Sequence, residues 1–465
     1  MATVQTARPV TLDNEMTEQF RSTLRGRLLL PDDDGYDAAR AIWNGMIDKR
    51  PALIVQPAGV ADVISAVNFA REHEILLAIK SGGHNVAGSG LCDDGLVLDM
   101  SSMRAVRINP QDRTAYVEGG AQWGDLDQEA AAFNLVTTGG VVSTTGVAGL
   151  TLGGGIGWLN AKFGAACDNV LAYDIVLANG DYVRASAEEH QDLFWALKGG
   201  GGNFGVVTGF VFQMYPFDGQ VLAGARFYPL EKARDVLEFY RQFTTKTSND
   251  VIVYCANWIN PATGAYATAI AFCHSGGLEA AEREMAPVRA FGDAELDIIS
   301  PMPYTAWQQA FNPLNPDGRN YYWKALLFTD LTDDVLDIVA QHGAQRPTVT
   351  SFAIFEQFGG VYSQPGKTEM AFWPREARYQ LVISGSWDDP TYQEPCIAWA
   401  RGLHDALAPH AMNGRNLNFA VVEEGERADR VRASHGDNYD RLVQIKTKYD
   451  PSNLFRVNNN IRPAV

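Results

Sequence analysis

The chain has 465 residues, 46% of them hydrophobic and 20% charged, with a formal net charge of −17. That balance fits a globular protein with about two to four domains' worth of core. It argues against nucleic acid or an anionic membrane as partner, because phosphate binding needs a basic face. The five cysteines, Cys92, Cys167, Cys255, Cys273 and Cys396, are odd in number and form no CxxC, which argues against a disulfide framework or a zinc site, so no metal is expected. No apolar run reaches the ~20 residues of a spanning helix. The first thirty residues lack the apolar core of a signal peptide, and a cytoplasmic protein is expected.

Val60, Val63, Ile64 and Val67 recur at helical spacing and predict a helix over "GVADVISAVNFAREHEI". "LLAIKSGG" reads as a buried strand running into a loop, "GLVLDM" and "TAYVEGG" as further strands, and "GDLDQEAAAFNL" as a helix. "YDIVLANGDYVRAS" predicts a hairpin, with Asn179-Gly180 suited to a type I′ turn. Ser186 with Glu189 suggests a capping box opening the helix "EEHQDLFWALK". Near Gly219 the texture changes. Strand-like runs ("VIVYCANWI", "YATAIAFCH", "YYWKALLF", "SFAIFEQF", "YQLVISGSW") alternate with amphipathic helices up to about Asn418. An α+β unit is expected there, an antiparallel sheet with helices on one face. The tail, a helix followed by an extended apolar strip, is expected to return to the first domain.

Glycine, at 44 residues, exceeds its usual share of about 7%, and the excess is clustered. Gly200, Gly202 and Gly205 spell GxGxxG, but they follow a helix and precede a β-branched run. A dinucleotide fingerprint needs the reverse order, so this one is rejected. Glycines let a backbone approach a ligand and aim N–H groups at anionic oxygens. Three such loops, at 81–90, 139–157 and 199–205, are compatible with a diphosphate-bearing cofactor and equally with a trio of sharp turns. The residues alone leave both open.

Four ordered motifs close that gap: "IKSGGHNVAGSG", "TTGVAGLTLGGGIGWLNAKFGAACDNV", "LFWALKGGGGNFGVVTGF" and "YDRLVQIKTKYDPSNLFRVNNNI". Together, over roughly residues 45–463, they resemble the FAD-linked oxidases of the vanillyl-alcohol-oxidase type, in particular the berberine-bridge-like group and its bacterial 6-hydroxynicotine-oxidase-like members. The resemblance implies a two-part FAD-binding domain with an inserted substrate domain. The expected boundaries are 1–218 (the PCMH-type part about 46–217), 219–418 for the substrate domain, and 419–465 for the returning segment. It implies a covalent flavin bond through His84. It also places the cofactor against Ile79, Lys80, Ser81, Gly82, Gly83 and Asn85; against Val141, Thr144, Thr145, Gly146, Gly149, Gly153, Gly154 and Gly157; against Gly205, Val206 and Val207; and against Phe455, Asn458 and Asn460. Relatives with a second bond use a cysteine where this chain has Val142, so a single bond is expected. Cys167 is expected to be a buried small hydrophobe.

The expected chemistry is transfer of hydride from a C–O or C–N centre to the flavin, with reoxidation by O2 to hydrogen peroxide. A dehydrogenase, an oxygenating tailoring enzyme and a non-catalytic flavin protein are the alternatives. Plant relatives use a glutamate where this chain has Gln380, and a tyrosine where it has Phe419; neither residue here can act as a base. Strand alternation groups Glu356 with Phe352, Ile354 and Phe358. A carboxyl among aromatics has a raised pKa suited to proton transfer, whereas a glutamate at a strand end would only meet solvent. Glu356 is the candidate base, with Gln380, Asn418 and Tyr322 as polar contacts. Trp258, Tyr321, Tyr322, Trp323, Phe352 and Phe419 are candidates for an aromatic pocket. A small aromatic, heterocyclic or glycosylated substrate and a homodimer are the partner expectations.

Overall fold

The structure is a computed structural model that describes residues 13–414, 416–419 and 427–464, with side chains at 427–429 left aside. Its first layer is a four-stranded sheet in the order Arg27–Leu29, Leu53–Gln56, Leu96–Asp99, Leu77–Lys80, parallel except for the first pair. The helix Val60–Glu72 follows the second strand and buries Val63 and Val67 against it, as its apolar spacing predicts. A second, antiparallel sheet runs in the order Val106–Asn109, Thr114–Glu118, Val206–Gln213, Val170–Val176, Tyr182–Ser186.

Two local expectations change. The hairpin between Val176 and Tyr182 forms, but its turn is not type I′. Gly180 N–H donates to Leu177 C=O at 2.9 Å, Leu177 N–H donates to Asp181 C=O at 2.9 Å, and only Gly180 has positive φ (87°). This is a three-residue connection that ends in a glycine bulge, which gives the same strand twist as type I′. Ser186 Oγ does accept from Glu189 N–H, at 3.2 Å, yet the helix starts only at Gln191 with His190 as its cap. The serine therefore closes a turn before the helix.

The larger sheet has eight strands among the described residues. Its path is Leu296–Asp297, Gln220–Pro229, Tyr266–His274, Val251–Ile259, Phe352–Gln357, Tyr379–Trp387 and Asn320–Phe328, all antiparallel, with Ser300–Pro303 also on Gln220–Pro229. The period of two divides its side chains cleanly. Val251, Val253, Cys255, Phe355, Leu381 and Ile383 face one way. There they pack under the helices Ala233–Thr244, Leu278–Ala290, Asp333–Gly343 and Gln393–Leu407. Each large apolar side chain so buried contributes about 1.5–3 kcal/mol. Ile252 and Tyr254 face the other way and pack with Trp158, Tyr304 and Trp307. That second face looks towards the glycine loops.

The tail does return. Lys446 Nζ donates to Asn203 C=O (2.7 Å), Phe455 C=O (2.9 Å) and Asp450 Oδ2 (2.6 Å), and both charged side chains are fully buried. Asp450 also accepts from the N–H groups of Leu454 and Phe455. Buried charges persist only when paired and hydrogen-bonded in this way. Here the pair locks residues 450–455 onto the 200–205 loop.

Candidate active site

Two cavities lie between the glycine loops and the larger sheet. The first, about 310 Å³, is walled by the 79–85 loop, the 141–153 segment, the 200–207 loop and residues 455–459. The second, about 230 Å³, opens over the sheet. Six residues line both: Val141, Val142, Asn315, Trp323, Glu356 and Phe419.

Glycine builds the first wall because backbone meets backbone there. A Cβ at Gly82 would lie 2.4 Å from Gly146 N, and one at Gly146 would lie 2.6 Å from Gly82 N. No side chain fits between the two loops. Ser81 Oγ anchors the first loop by donating to Gly119 C=O at 2.7 Å. His84 faces the cavity from this loop, half-buried. Desolvation holds its pKa down to about 4, so the imidazole is neutral and one ring nitrogen keeps a free lone pair at neutral pH.

Of the residues expected at the cofactor, Ile79, Lys80, Ser81, Gly82, Gly83, His84, Asn85, Val141, Thr145, Gly146, Gly149, Gly153, Gly205, Val206, Val207, Phe455 and Asn458 line this cavity. Lys80 Nζ is turned away from it, donating to Ala39 C=O at 2.6 Å. Thr144, Gly154, Gly157 and Asn460 are not on its wall. Gly157 is there for packing, since its Cβ would fall 2.0 Å from Gly139 O, and Gly154, at φ +108°, turns the chain against Phe372. Trp43, Leu417, Val457 and Asn459 line the cavity without having been singled out, and Gly200–Gly202, part of the 199–205 loop noted above, line it too.

The second wall is aromatic. Trp258, Trp323, Phe352 and Phe419 stand on it as expected, joined by Trp158, Tyr254 and Phe311. Trp158 stacks on Tyr254 (4.3 Å) and Trp323 on Phe419 (5.7 Å). Tyr322 is a correction. It lies in the helix-covered core, where its hydroxyl accepts from Arg401 Nε at 3.0 Å, while its neighbours Tyr321 and Trp323 face the other way. Both faces of this strand are apolar, so alternation alone did not say which parity faced the site. Asn418 reaches the cavity from a short 3₁₀ turn, Leu417–Phe419, and not from a strand; its Nδ2 donates to Leu150 C=O at 2.9 Å.

Glu356 is buried and does not reach out to solvent. Gln380 Nε2 donates to its Oε2 at 2.8 Å. Burial pushes its pKa up to about 8, only partly offset by that hydrogen bond. Gln380 Oε1 is buried and without a hydrogen bond. None of the five cysteines, all free and buried, lines either cavity, and Val142 lines both. Cys167 lies with its sulfur near Asp168 and Arg375, its thiol pushed up by burial.

The first cavity fits FAD. A Cβ added at Gly149 or Gly202 would meet nothing within 4 Å, so these backbones face open space, and Asn458 Oδ1 is buried without a partner. A glycine-backbone cradle beside a neutral imidazole, facing an aromatic pocket with one buried carboxyl, accords with a flavin-dependent oxidoreductase site. Residues 51–186 match the model of an FAD binding domain, and residues 416–462 match that described as berberine and berberine like. The chain is 31% identical to (R)-6-hydroxynicotine oxidase of Paenarthrobacter nicotinovorans, over 95% of this chain and 97% of that one. It is 30% identical to an FAD-linked oxidoreductase of Dictyostelium discoideum, over 97% of each. The crystal structure of the 6-hydroxy-D-nicotine oxidase from Arthrobacter nicotinovorans matches with a TM-score of 0.83 at 28% identity, covering 95% of this chain and 98% of that one. Chitooligosaccharide oxidase, at 22% identity and a TM-score of 0.85, shares the fold. The chain belongs to the berberine-bridge-like family of FAD-linked oxidoreductases.

Proposed function

We propose that this FAD-dependent oxidase takes hydride from a C–O or C–N centre of a small aromatic, heterocyclic or glycosylated substrate and passes the electrons to O2. The observation that carries this is the shared wall: Glu356, Trp323 and Phe419 border both cavities, so a substrate on the sheet and a cofactor on the glycine loops meet without protein between them. Bound FAD supplies the two-electron acceptor. His84 is its single covalent tether. Its neutral imidazole would supply the nucleophilic nitrogen for that bond. Ser81, Gly82, Gly83 and Asn85 hold the loop around that histidine. Gly146, Gly149, Gly205 and Asn458 present backbone and amide groups to the cofactor.

Glu356 is the base that takes the substrate's O–H or N–H proton. Gln380 Nε2 holds one carboxylate oxygen and leaves the other for substrate. The aromatic wall excludes water and orients a planar ring. Free, buried cysteines accord with a cytoplasmic enzyme, and no described helix is long and apolar enough to cross a membrane. The test is a panel of hydroxylated N-heterocycles, sugars and hydroxylated polyketides scored anaerobically by flavin bleaching, followed by admission of air. Bleaching with rapid reoxidation supports an oxidase; slow reoxidation would make the enzyme a dehydrogenase, and no bleaching by any member would leave it a flavin-binding protein.

A further inference from the structure

One segment that touches both walls plays no part in the chemistry described so far. Trp43 is buried, and its indole lies nearly parallel to the His84 imidazole, with centroids 5.4 Å apart and planes 13° apart. It also stacks on Tyr321 at 3.8 Å and 10°. Trp43 is thus stacked with both His84, on the glycine loop, and Tyr321, on the sheet. The backbone around it is held equally closely. Trp43 N–H donates to Gly83 C=O (3.2 Å), and Trp43 C=O accepts from Gly318 N–H (2.9 Å). Trp43 Nε1 donates to Asn315 C=O at 2.9 Å. The next residue, Asn44, is buried and uses its whole amide. Its Nδ2 donates to Val86 C=O (2.8 Å) and Tyr321 C=O (2.9 Å), and its Oδ1 accepts from Tyr321 N–H (3.0 Å). The dipeptide thus grips residues 83 and 86, on either side of His84, and fastens them to the strand Asn320–Phe328.

A glycine-rich loop left to itself samples many conformations. A ring that must attack one carbon needs one orientation. We propose that Trp43 and Asn44 are positioning residues for His84, which hold its imidazole in the orientation that bonds the flavin and which tie that orientation to the substrate sheet through Tyr321. This rests on His84 being the tether. Trp43 acts through the imidazole and performs no chemistry itself.

The experiment follows covalent attachment and leaves turnover aside. Full-length protein made under riboflavin limitation is mixed with FAD. Bound flavin is then scored after acid precipitation and by the mass of the peptide carrying His84. In W43L, which keeps apolar volume but loses the aromatic face, attachment at saturating FAD slows by on the order of 10²-fold, while the circular-dichroism spectrum is retained; saturation is used because Trp43 itself lines the cofactor cavity. W43F restores a rate within a few-fold of the wild type. A pH series adds a readout that mere packing would not move. Burial holds His84 at about 4, so wild-type attachment is flat across neutral pH. In W43A water reaches the ring, the pKa returns towards 6.5, and attachment slows as the pH falls through that value. Attachment at the wild-type rate in W43L overturns the proposal, and so does equal slowing in W43L and W43F. If W43A does not fold, the comparison of W43L with W43F still decides. Release of all flavin from the acid-precipitated wild type would instead overturn the tether itself, which no Trp43 variant can do.

Discussion

Each wall of the site holds a titratable side chain placed to act, His84 on one and Glu356 on the other, and desolvation moves the two in opposite directions. His84 falls to about 4 and Glu356 rises to about 8, both by desolvation. Between those values both are uncharged. For the histidine this is the reactive state, because a neutral nitrogen is the nucleophile. For the glutamate it is the idle state, because only the carboxylate accepts a proton. Under the roles proposed above, the glycine wall would be ready for its bond at any neutral pH, whereas the aromatic wall would become a base only as the pH rises or as a substrate favours the ionised form. Desolvation alone would then separate a permanent attachment from a conditional catalyst.

The largest break in that comparison is His84→Ala. All flavin should be released by acid precipitation while FAD still binds noncovalently; flavin retained with the precipitate would remove His84 from the tether role. Next comes Glu356→Gln, for which stopped-flow measurement of flavin reduction should show a loss of ~10²-fold or more if the carboxylate is the base. The pH profile sharpens the same point. Because the pKa of Glu356 is raised, the wild-type reduction rate should climb with pH and level off above about 8. A flat profile would assign proton removal to another group. Stability has the opposite sign. The buried carboxyl carries no penalty below its ordinary value of 4.5, and the apoprotein should lose stability as the pH rises from there through about 8. Gly146→Ala probes the glycine wall directly. With Gly82 N at 2.6 Å from the new methyl, thermal unfolding should report a loss of about 1–3 kcal/mol, with FAD affinity reduced. The smallest effect belongs to Tyr322→Phe, which removes the hydroxyl that accepts from Arg401 Nε on the far face of the sheet. It should cost about 0.5–1.5 kcal/mol and leave the kinetics of flavin reduction unchanged.

The glycine wall was legible in the sequence as clusters, but its purpose was not: a cradle and a set of sharp turns ask for the same residue type, and only the four ordered motifs separated them. That Gly82 meets Gly146 backbone to backbone appears only in the fold. Glu356 could be found too, since a carboxyl amid Phe352 and Ile354 contradicts the pattern around it. The aromatic wall was only half readable. Apolar residues fill both faces of the strand Asn320–Phe328, so Tyr322 had as good a claim as Tyr321 or Trp323 until the helices covered one side. Trp43 gave no signal, because it is one tryptophan in an irregular stretch and its partners lie 41 residues (His84) and 278 residues (Tyr321) away. The misjudged turn at Asn179-Gly180 is of the same kind: the glycine was placed correctly, and the choice between two turns of similar twist depended on one extra residue.

The buried Lys446–Asp450 pair has a consequence for where the chain tolerates a break. It seats residues 455–459 against a cavity whose other lining residues run from Trp43 to Phe419. The compartment is therefore shared between stretches far apart in sequence, and none of them encloses it alone. A single proteolytic cut between Phe419 and Lys446 would leave both pieces of the wall intact, yet only noncovalent contacts, among them the hydrogen bond from the paired Lys446 to Asn203, would then hold them together.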